Sequence, residues 1–377
     1  MRKKVVFVGL SGGVDSAVSA ALLQKQGFEV VGVFIKTWHP DFLECNEEEE
    51  RRDAMRVAAF LGIPFLTFDF ENIYKKEVAD YMIREYRAGR TPNPDVMCNK
   101  EVKFGAFLKK AVAMGADFVA TGHYAKNTFF QARTQPGHSK KYFLLYKGID
   151  PSKDQSYFLW TLNQDQLSKI IFPISDLKKT EVRKLAKKFN LPVADKKDSQ
   201  GICFLGEVDL KEFLKHYIKI KKGKVLNTDG ETIGYHNGVV FYTLGERHGF
   251  TITRKGSNDS RYYIVSKDIK KNVLIVSSQK NNLNSNTRTD YSIENTNWIN
   301  EKPKLHKNYT AQIRYHGEFL SCTIKILTQN KARVFFTEPI LVAPGQSIVL
   351  YDNDICLGGG VVVDGVPYIN SARTINK

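Results

Sequence analysis

Residues 5–16 read VVFVGLSGGVDS, and AVSAALLQKQG follows at once. The apolar run Val5 to Val8 predicts a buried parallel strand. Gly12 and Gly13 then free the backbone for a turn, and the Ala- and Leu-rich run predicts a helix. Glycines between a strand and a helix let amide N–H groups converge on an anion, and the helix N-terminus adds its positive dipole end. Ser11 and Ser16 supply hydroxyl donors. The stretch therefore predicts a phosphate-holding loop, with an ordinary Gly-rich strand-to-helix turn as the plain alternative. It is not the commoner phosphate loop, whose Lys meets the β/γ-phosphates; here Asp15 precedes Ser16. An acidic side chain beside phosphates implies a bound Mg²⁺ or a helix N-cap role.

Working outward, FEVVGVFIKTW (28–38) and IPFLTFDF (63–70) predict two more parallel strands, and DFVATGHYA (117–125) a fourth. Helices are predicted between them over 46–62, over 72–89, and from about Asn99 through Met114. Strands alternating with helices imply a doubly wound parallel α/β sheet with ligands at the strands' C-terminal ends. Residues 126–150 read as a strand and hairpin, and the stretch ending near Gly206 as helices and loops. Short strands with turns at Asp229–Gly230 and Asn237–Gly238 then predict a small, mainly β central domain. The polar NNLNSNTRTD (281–290) reads as a linker, and the evenly spaced strands after it suit a small β-barrel. The expected domains are 1–206, 207–281 and 282–377.

No uninterrupted apolar stretch approaches the roughly 20 residues that span a bilayer. The N-terminal charges before an apolar run mimic a signal peptide, but the run is short and leads straight into the loop, so a cytoplasmic location is expected. Lys and Arg number 56 against 40 acidic residues, leaving +16, an excess that favours polyanionic partners and nucleic acid in particular.

The five cysteines, at 45, 98, 203, 322 and 356, form no CxxC pair, which argues against a structural zinc site or a secreted disulfide scaffold; no metal ligand set is assigned. Cys98 lies in TPNPDVMCNKEVKFG, read as just before a helix start beside Lys100 and Lys103. Cys203 lies in KKDSQGICFLG, close behind Lys196 and Lys197. Both settings predict a lowered thiol pKa, against burial among apolar neighbours, the usual state of a free cysteine. Cys45, Cys322 and Cys356 read as structural. Two reactive thiols without a third partner suggest thiol–disulfide or persulfide chemistry.

SGGVDS resembles the loop of the ATP pyrophosphatases, which split ATP into AMP and pyrophosphate. Together with AGRTPNPDVMCNKEVKFG, TGHYA, KDQSYFL, DSQGICF, Gly345–Gln346 and CLGGG at 356–360, the chain resembles the bacterial tRNA-specific 2-thiouridylase family over nearly its whole length. That resemblance implies a HUP-like catalytic domain, a small central domain and a C-terminal β-barrel. It implies adenylation of the C2 oxygen of a wobble uridine by ATP with Mg²⁺, then sulfur transfer and release of AMP. By the same resemblance Gly9, Leu10, Ser11, Gly12, Gly13, Val14, Asp15 and Ser16 hold ATP, with Ile35 and Gly122 near its adenine. The family usually has Met where this chain has Ile35. Cys203 would carry sulfur as a persulfide and Cys98 would attack it or close a disulfide with it. Asn93, Pro94 and Asp95 would meet the target base, Asp95 as a proton acceptor or donor, or as a turn-forming residue after proline. His123, Lys153, Asp154, Gln155, Arg314, Tyr315 and Gln346 match tRNA-contact positions. The implied partners are tRNA and a sulfur-donor protein, with no membrane.

Two other classes are compatible with parts of the sequence. ATP-dependent amidotransferases and synthetases share SGGxDS but need ammonia or an amine, not two special thiols. A non-catalytic tRNA-binding protein with a relic nucleotide site would have no use for Asp15 and both cysteines.

Overall fold

The computed structural model describes residues 2–43, 46–135, 138–198, 201, 203–206, 209–254, 261–278 and 287–363. In chain order the first part contains β1 (Val5–Gly9), α1 (Val14–Lys25), β2 (Glu29–Lys36), α2 (Glu47–Leu61), β3 (Phe65–Asp69), β4 (Phe118–Ala120), β5 (Ala125–Gln135), β6 (His138–Lys147) and β7 (Ile170–Ile171). Strands β3-β2-β1-β4-β7 form one sheet in that order, all parallel.

Side chains of alternate residues feed two cores, as the period of a strand requires. Phe7, Val33 and Ile35 join the layer of helices between residues 71 and 113, while Val6, Val8, Val30 and Phe34 pack on α1, α2 and the helix Lys179–Lys188. Each such side chain fully buried contributes about 1.5–3 kcal/mol. The order also explains the site. The chain leaves β1 towards β2 on one side, and β4 pairs with β1 on the other, so a crevice opens beyond the C-terminal ends of β1 and β4.

Three expectations need correction. The fourth strand is only Phe118–Ala120, because Thr121 to Tyr124 turn away at the crevice. A fifth strand, β7, lies within the stretch read as helices and loops; two residues are too few to leave a periodic signal. The helix expected to start near Asn99 begins at Pro94 instead, capped by Asn93, whose Oδ1 accepts the Val96 N–H at 3.2 Å. Pro at the first helical position brings a preset φ and no orphan N–H, which favours the earlier start.

The central part contains β8 (Gly223–Leu226), β9 (Thr232–His236), β10 (Thr251–Ile252), β11 (Tyr263–Asp268) and β12 (Val273–Ser277), paired in the order β10-β9-β8-β12-β11. The last part contains β13 (Arg288–Trp298), β14 (Tyr309–Gln312), β15 (Leu320–Ile326), β16 (Lys331–Ile340), β17 (Ser347–Asp352) and β18 (Ile355–Val362). These six strands run antiparallel, and β13 pairs with both β16 and β18, closing a barrel without free edges. Of the stretch read as a linker, 281–286 lies outside the described residues, while Arg288 already opens β13.

The hairpin β5–β6 crosses the expected domain boundary. Its Leu145 and Tyr146 pair with Cys356 and Ile355 of β18, so the barrel sheet continues into a hairpin from the first part of the chain. The barrel is thereby fixed against the parallel sheet. No helix among the described residues is long and apolar enough to cross a membrane.

Candidate active site

The loop after β1 is built for close approach. Ser16 Oγ accepts the Ser11 N–H at 3.2 Å and donates to Gly13 O at 3.1 Å, tying both ends of the turn together. Gly12 has φ of +71°, and a Cβ there would come within 2.5 Å of Glu50 O. Gly122, just past β4, has backbone so near the loop that a Cβ would lie 2.9 Å from Asp15 and Ser16 atoms. The strand ends predicted to meet at one crevice do meet.

Asp15 does not cap α1; Gly13 occupies the N-cap position, with no side-chain cap. Asp15 instead accepts hydrogen bonds from Lys179 Nζ at 2.8 Å on each carboxylate oxygen, and from Tyr124 OH at 2.7 Å on Oδ1. Lys179 also pairs with Asp198 at 2.9 Å, and Asp198 takes Lys153 at 2.9 Å and Arg183 as well. Burial opposes the charge on Asp198, but Lys179 and Lys153 override it and hold the carboxyl well below the usual range. The sequence reading missed this network, since its members are local to nothing but each other in space.

The residues present suit a nucleotide. The glycine-lined loop leaves room where any Cβ would intrude, and Thr37 Oγ1, just past β2, is buried without a hydrogen-bond partner. They do not form a resident Mg²⁺ site. Both Asp15 oxygens are held by Lys179, and among the described residues no three His, Cys, Asp or Glu side chains converge as a metal-holding group.

The second centre brings two distant cysteines together. Cys98 Sγ donates to Cys203 Sγ at 3.6 Å, across 105 positions of sequence. The turn carrying Cys203 is pinned on three sides. Its N–H donates to Asp95 Oδ1 at 2.9 Å, its carbonyl accepts Tyr74 OH at 2.8 Å, and the next carbonyl, of Phe204, lies 2.8 Å from His39 Nε2. Phe204 holds a left-handed φ of +68°, a conformation a bulky residue adopts only when its surroundings fix it.

The two thiols differ, against the expectation that both would be lowered. Cys203 is lowered to about 7, first by the hydrogen bond from Cys98, against burial, and then by the charge of Lys103. Cys98 is raised well above the usual thiol value, mainly by burial and then by Cys203. The physical reason is the earlier helix start: Cys98 lies one turn inside, fully buried, away from the helix end whose amides would stabilise a thiolate. Burial lowers Lys103, but Cys203, Cys98 and Asp95 together raise it, so the ammonium persists beside the sulfurs. Lys196, expected to act on Cys203, pairs with Asp53 at 2.7 Å instead. Burial pushes Asp95 up, with the Cys203 N–H and Lys103 opposing.

Cys322 and Cys356 are buried in the barrel sheet, and burial raises each to about 12, as inert thiols require. Cys45 lies outside the described residues.

The candidate nucleic-acid residues divide into two groups. Asp154 takes the N–H groups of Gly148 and Ser156 and the Ser156 hydroxyl, and Gln155 braces Tyr124, so both organise the loop beside the crevice. His123 is buried beside Phe104 and Phe172, bonds Thr121 Oγ1 at 2.7 Å through Nδ1, and is held neutral by burial and by Lys103. Ile35 is buried near the end of β2. Arg314 by contrast is exposed, and Tyr315 stacks on His316, with ring centroids 3.9 Å apart, and meets the tilted Phe158 ring at 4.4 Å. Burial, then the charges of Asp154 and Asp95, pushes Tyr315 up to about 12. Gln346 follows Gly345, whose backbone abuts Thr91, and the Thr91 N–H donates to Pro344 O at 2.7 Å.

Comparison with known proteins agrees across the chain. Residues 4–207 match the tRNA methyl transferase HUP domain, 211–278 the tRNA methyl transferase PRC-barrel domain, and 288–362 the aminomethyltransferase beta-barrel domain. The tRNA-specific 2-thiouridylase MnmA of Geobacillus thermodenitrificans is 45% identical over 361 residues, covering 95% of this chain and 94% of that protein. That of Listeria monocytogenes is 44% identical over 362 residues, with the same coverage. With a nucleotide loop, a paired-thiol centre and this similarity over the full architecture, the chain belongs to the tRNA-specific 2-thiouridylase family.

Proposed function

We propose that the chain is a tRNA-uridine 2-sulfurtransferase that uses ATP to replace the C2 oxygen of a wobble uridine with sulfur. The observation that carries this reading is the 3.6 Å approach of Cys98 and Cys203, with the Cys98 thiol donating to Cys203.

The carbonyl oxygen of uracil leaves poorly. Attack of that oxygen on the α-phosphorus of ATP forms the O-adenylated base and expels pyrophosphate. The amides of Gly12 to Ser16 meet the charge developing on the departing oxygens. ATP would enter as its magnesium complex, with the ion on the phosphates.

Cys203, the more acidic thiol, attacks the outer sulfur of a donor protein's persulfide and becomes a persulfide itself. Cys98 then attacks Sγ of the Cys203 persulfide anion, its thiol proton passing to the departing terminal sulfur, so that a disulfide closes and hydrosulfide leaves with the Lys103 ammonium beside the sulfurs. Hydrosulfide adds to C2, AMP leaves, and 2-thiouridine results. Two external thiols return the Cys98–Cys203 disulfide to two thiols before the next turnover and are themselves joined as a disulfide.

Asp95 anchors the Cys203 turn, and with Asn93 and Pro94 lines the approach to the base. Lys153, Asp154, Gln155 and His123 shape the crevice wall. Arg314, Tyr315 and Gln346 offer the barrel's side of a tRNA-binding surface, with phosphate pairing and stacking suited to an unpaired loop. A tRNA substrate and a soluble sulfur carrier are consistent with a cytoplasmic location. The test is to follow AMP and pyrophosphate with and without tRNA and a sulfide source. Release coupled to base thiolation supports the reading, and release without tRNA overturns it.

A further inference from the structure

Lys179 stands 164 positions beyond Asp15, yet its ammonium lies 2.8 Å from both Asp15 oxygens at the mouth of the glycine loop. Its place is set from behind: its backbone N–H donates to Asp150 Oδ2 at 2.9 Å, and its Nζ also reaches Asp198 at 2.9 Å. Its side chain is 13% exposed, so the charge is held close rather than waving in solvent. Around it, Lys179, Lys153 and Arg183 are ion-paired to only two carboxylates, Asp15 and Asp198. The loop itself contains no basic residue, and its one charged residue, Asp15, would repel a triphosphate.

From this arrangement we infer that Lys179 is a phosphate ligand of the nucleotide, meeting its β- and γ-phosphates and the pyrophosphate that leaves. Such a contact supplies from a distant helix the cation that commoner phosphate loops carry within their own sequence. An ammonium with three donors can keep one on Asp15 while turning the others to phosphate oxygens, so Asp15 holds the lysine in place and does not compete with the nucleotide. The inference deepens the proposed function and rests on it only for the choice of ATP as the nucleotide.

The test is a calorimetric titration of the full chain with α,β-methylene-ATP and, separately, with AMP. Lys179→Met should weaken binding of the ATP analogue by about tenfold or more and change AMP binding by less than about twofold, since one charge-assisted contact to the outer phosphates is lost. Lys179→Arg should recover part of the loss. Equal weakening of both nucleotides, or of neither, would overturn the inference. A second variant separates contact from charge neutralisation: if Asp15→Asn combined with Lys179→Met restores full affinity for the ATP analogue, the lysine only masks Asp15 and the inference fails. Persulfide loading of Cys203, which uses no ATP, checks that each variant is folded. Because the readout is binding, failure of the thiolation reading would appear separately, as wild-type protein that binds ATP but transfers no sulfur.

Discussion

The Asp95 carboxylate accepts the backbone N–H of Cys203 at 2.9 Å, joining the start of the Pro94–Met97 helix to the turn that holds Cys203. An amide oxygen can accept the same bond. Asp95→Asn should therefore keep the rate of Cys203 alkylation near wild type, while Asp95→Ala should free the turn and lower thiolation by about 10²-fold, the loss expected from misplacement near 1 Å. Parallel measurement of alkylation and single-turnover thiolation separates the two. Equal loss in both variants would point to proton transfer by Asp95 instead.

The pH dependence of the thiols follows from their unequal states. Cys98 and then Lys103 lower the Cys203 thiol, so its alkylation by iodoacetamide should rise with pH at lower pH than that of a free thiol, as thiolate forms. Cys98→Ala removes the donor that most lowers Cys203 and should move the midpoint up. Lys103→Met should move it the same way. Rate profiles for the two variants check both shifts.

Asp198 binds three cations beside the nucleotide loop, and its carboxyl is held low. A depressed folded pKa gives stability that is complete above the unfolded value near 4 and lost as pH falls towards the folded one. Asp198→Asn should lower the unfolding free energy by about 1–3 kcal/mol at neutral pH. The gap from wild type should narrow only below about pH 4, as the unfolded carboxyl takes up its proton. Urea unfolding at several pH values reads it directly.

Gly345 has φ of +92°, and a Cβ there would come within 2.9 Å of the Thr91 backbone. Gly345→Ala should push the barrel loop off the 91–98 segment. Persulfide loading of Cys203 should persist while thiolation falls several-fold and KM for tRNA rises, since the barrel side of the surface shifts. Steady-state kinetics with a loading assay separates these effects.

Much of this was legible in the sequence where the cause is local. VVFVGLSGGVDS holds its strand, turn and helix within a dozen residues, and the structure follows it. The cysteine motifs pointed to Cys98 and Cys203, although their 3.6 Å approach depends on a contact across 105 positions. The state of Cys98 was not legible, because burial and the true helix start at Pro94 decide it. Lys179 was invisible for the same reason: nothing in LKKTEVRK announces a partner at Asp15. The hairpin β5–β6 was recognised as a hairpin, but its pairing with β18 is a tertiary choice that strand patterning does not encode.

The most direct test of the central claim is nucleoside mass spectrometry of unmodified tRNA incubated with ATP, magnesium, a persulfide donor and either wild-type protein or Cys203→Ser. The account predicts a sulfur-for-oxygen mass increase at the wobble uridine with wild type and none with the variant. Thiolated uridine formed by Cys203→Ser, or none formed by wild type, would contradict it.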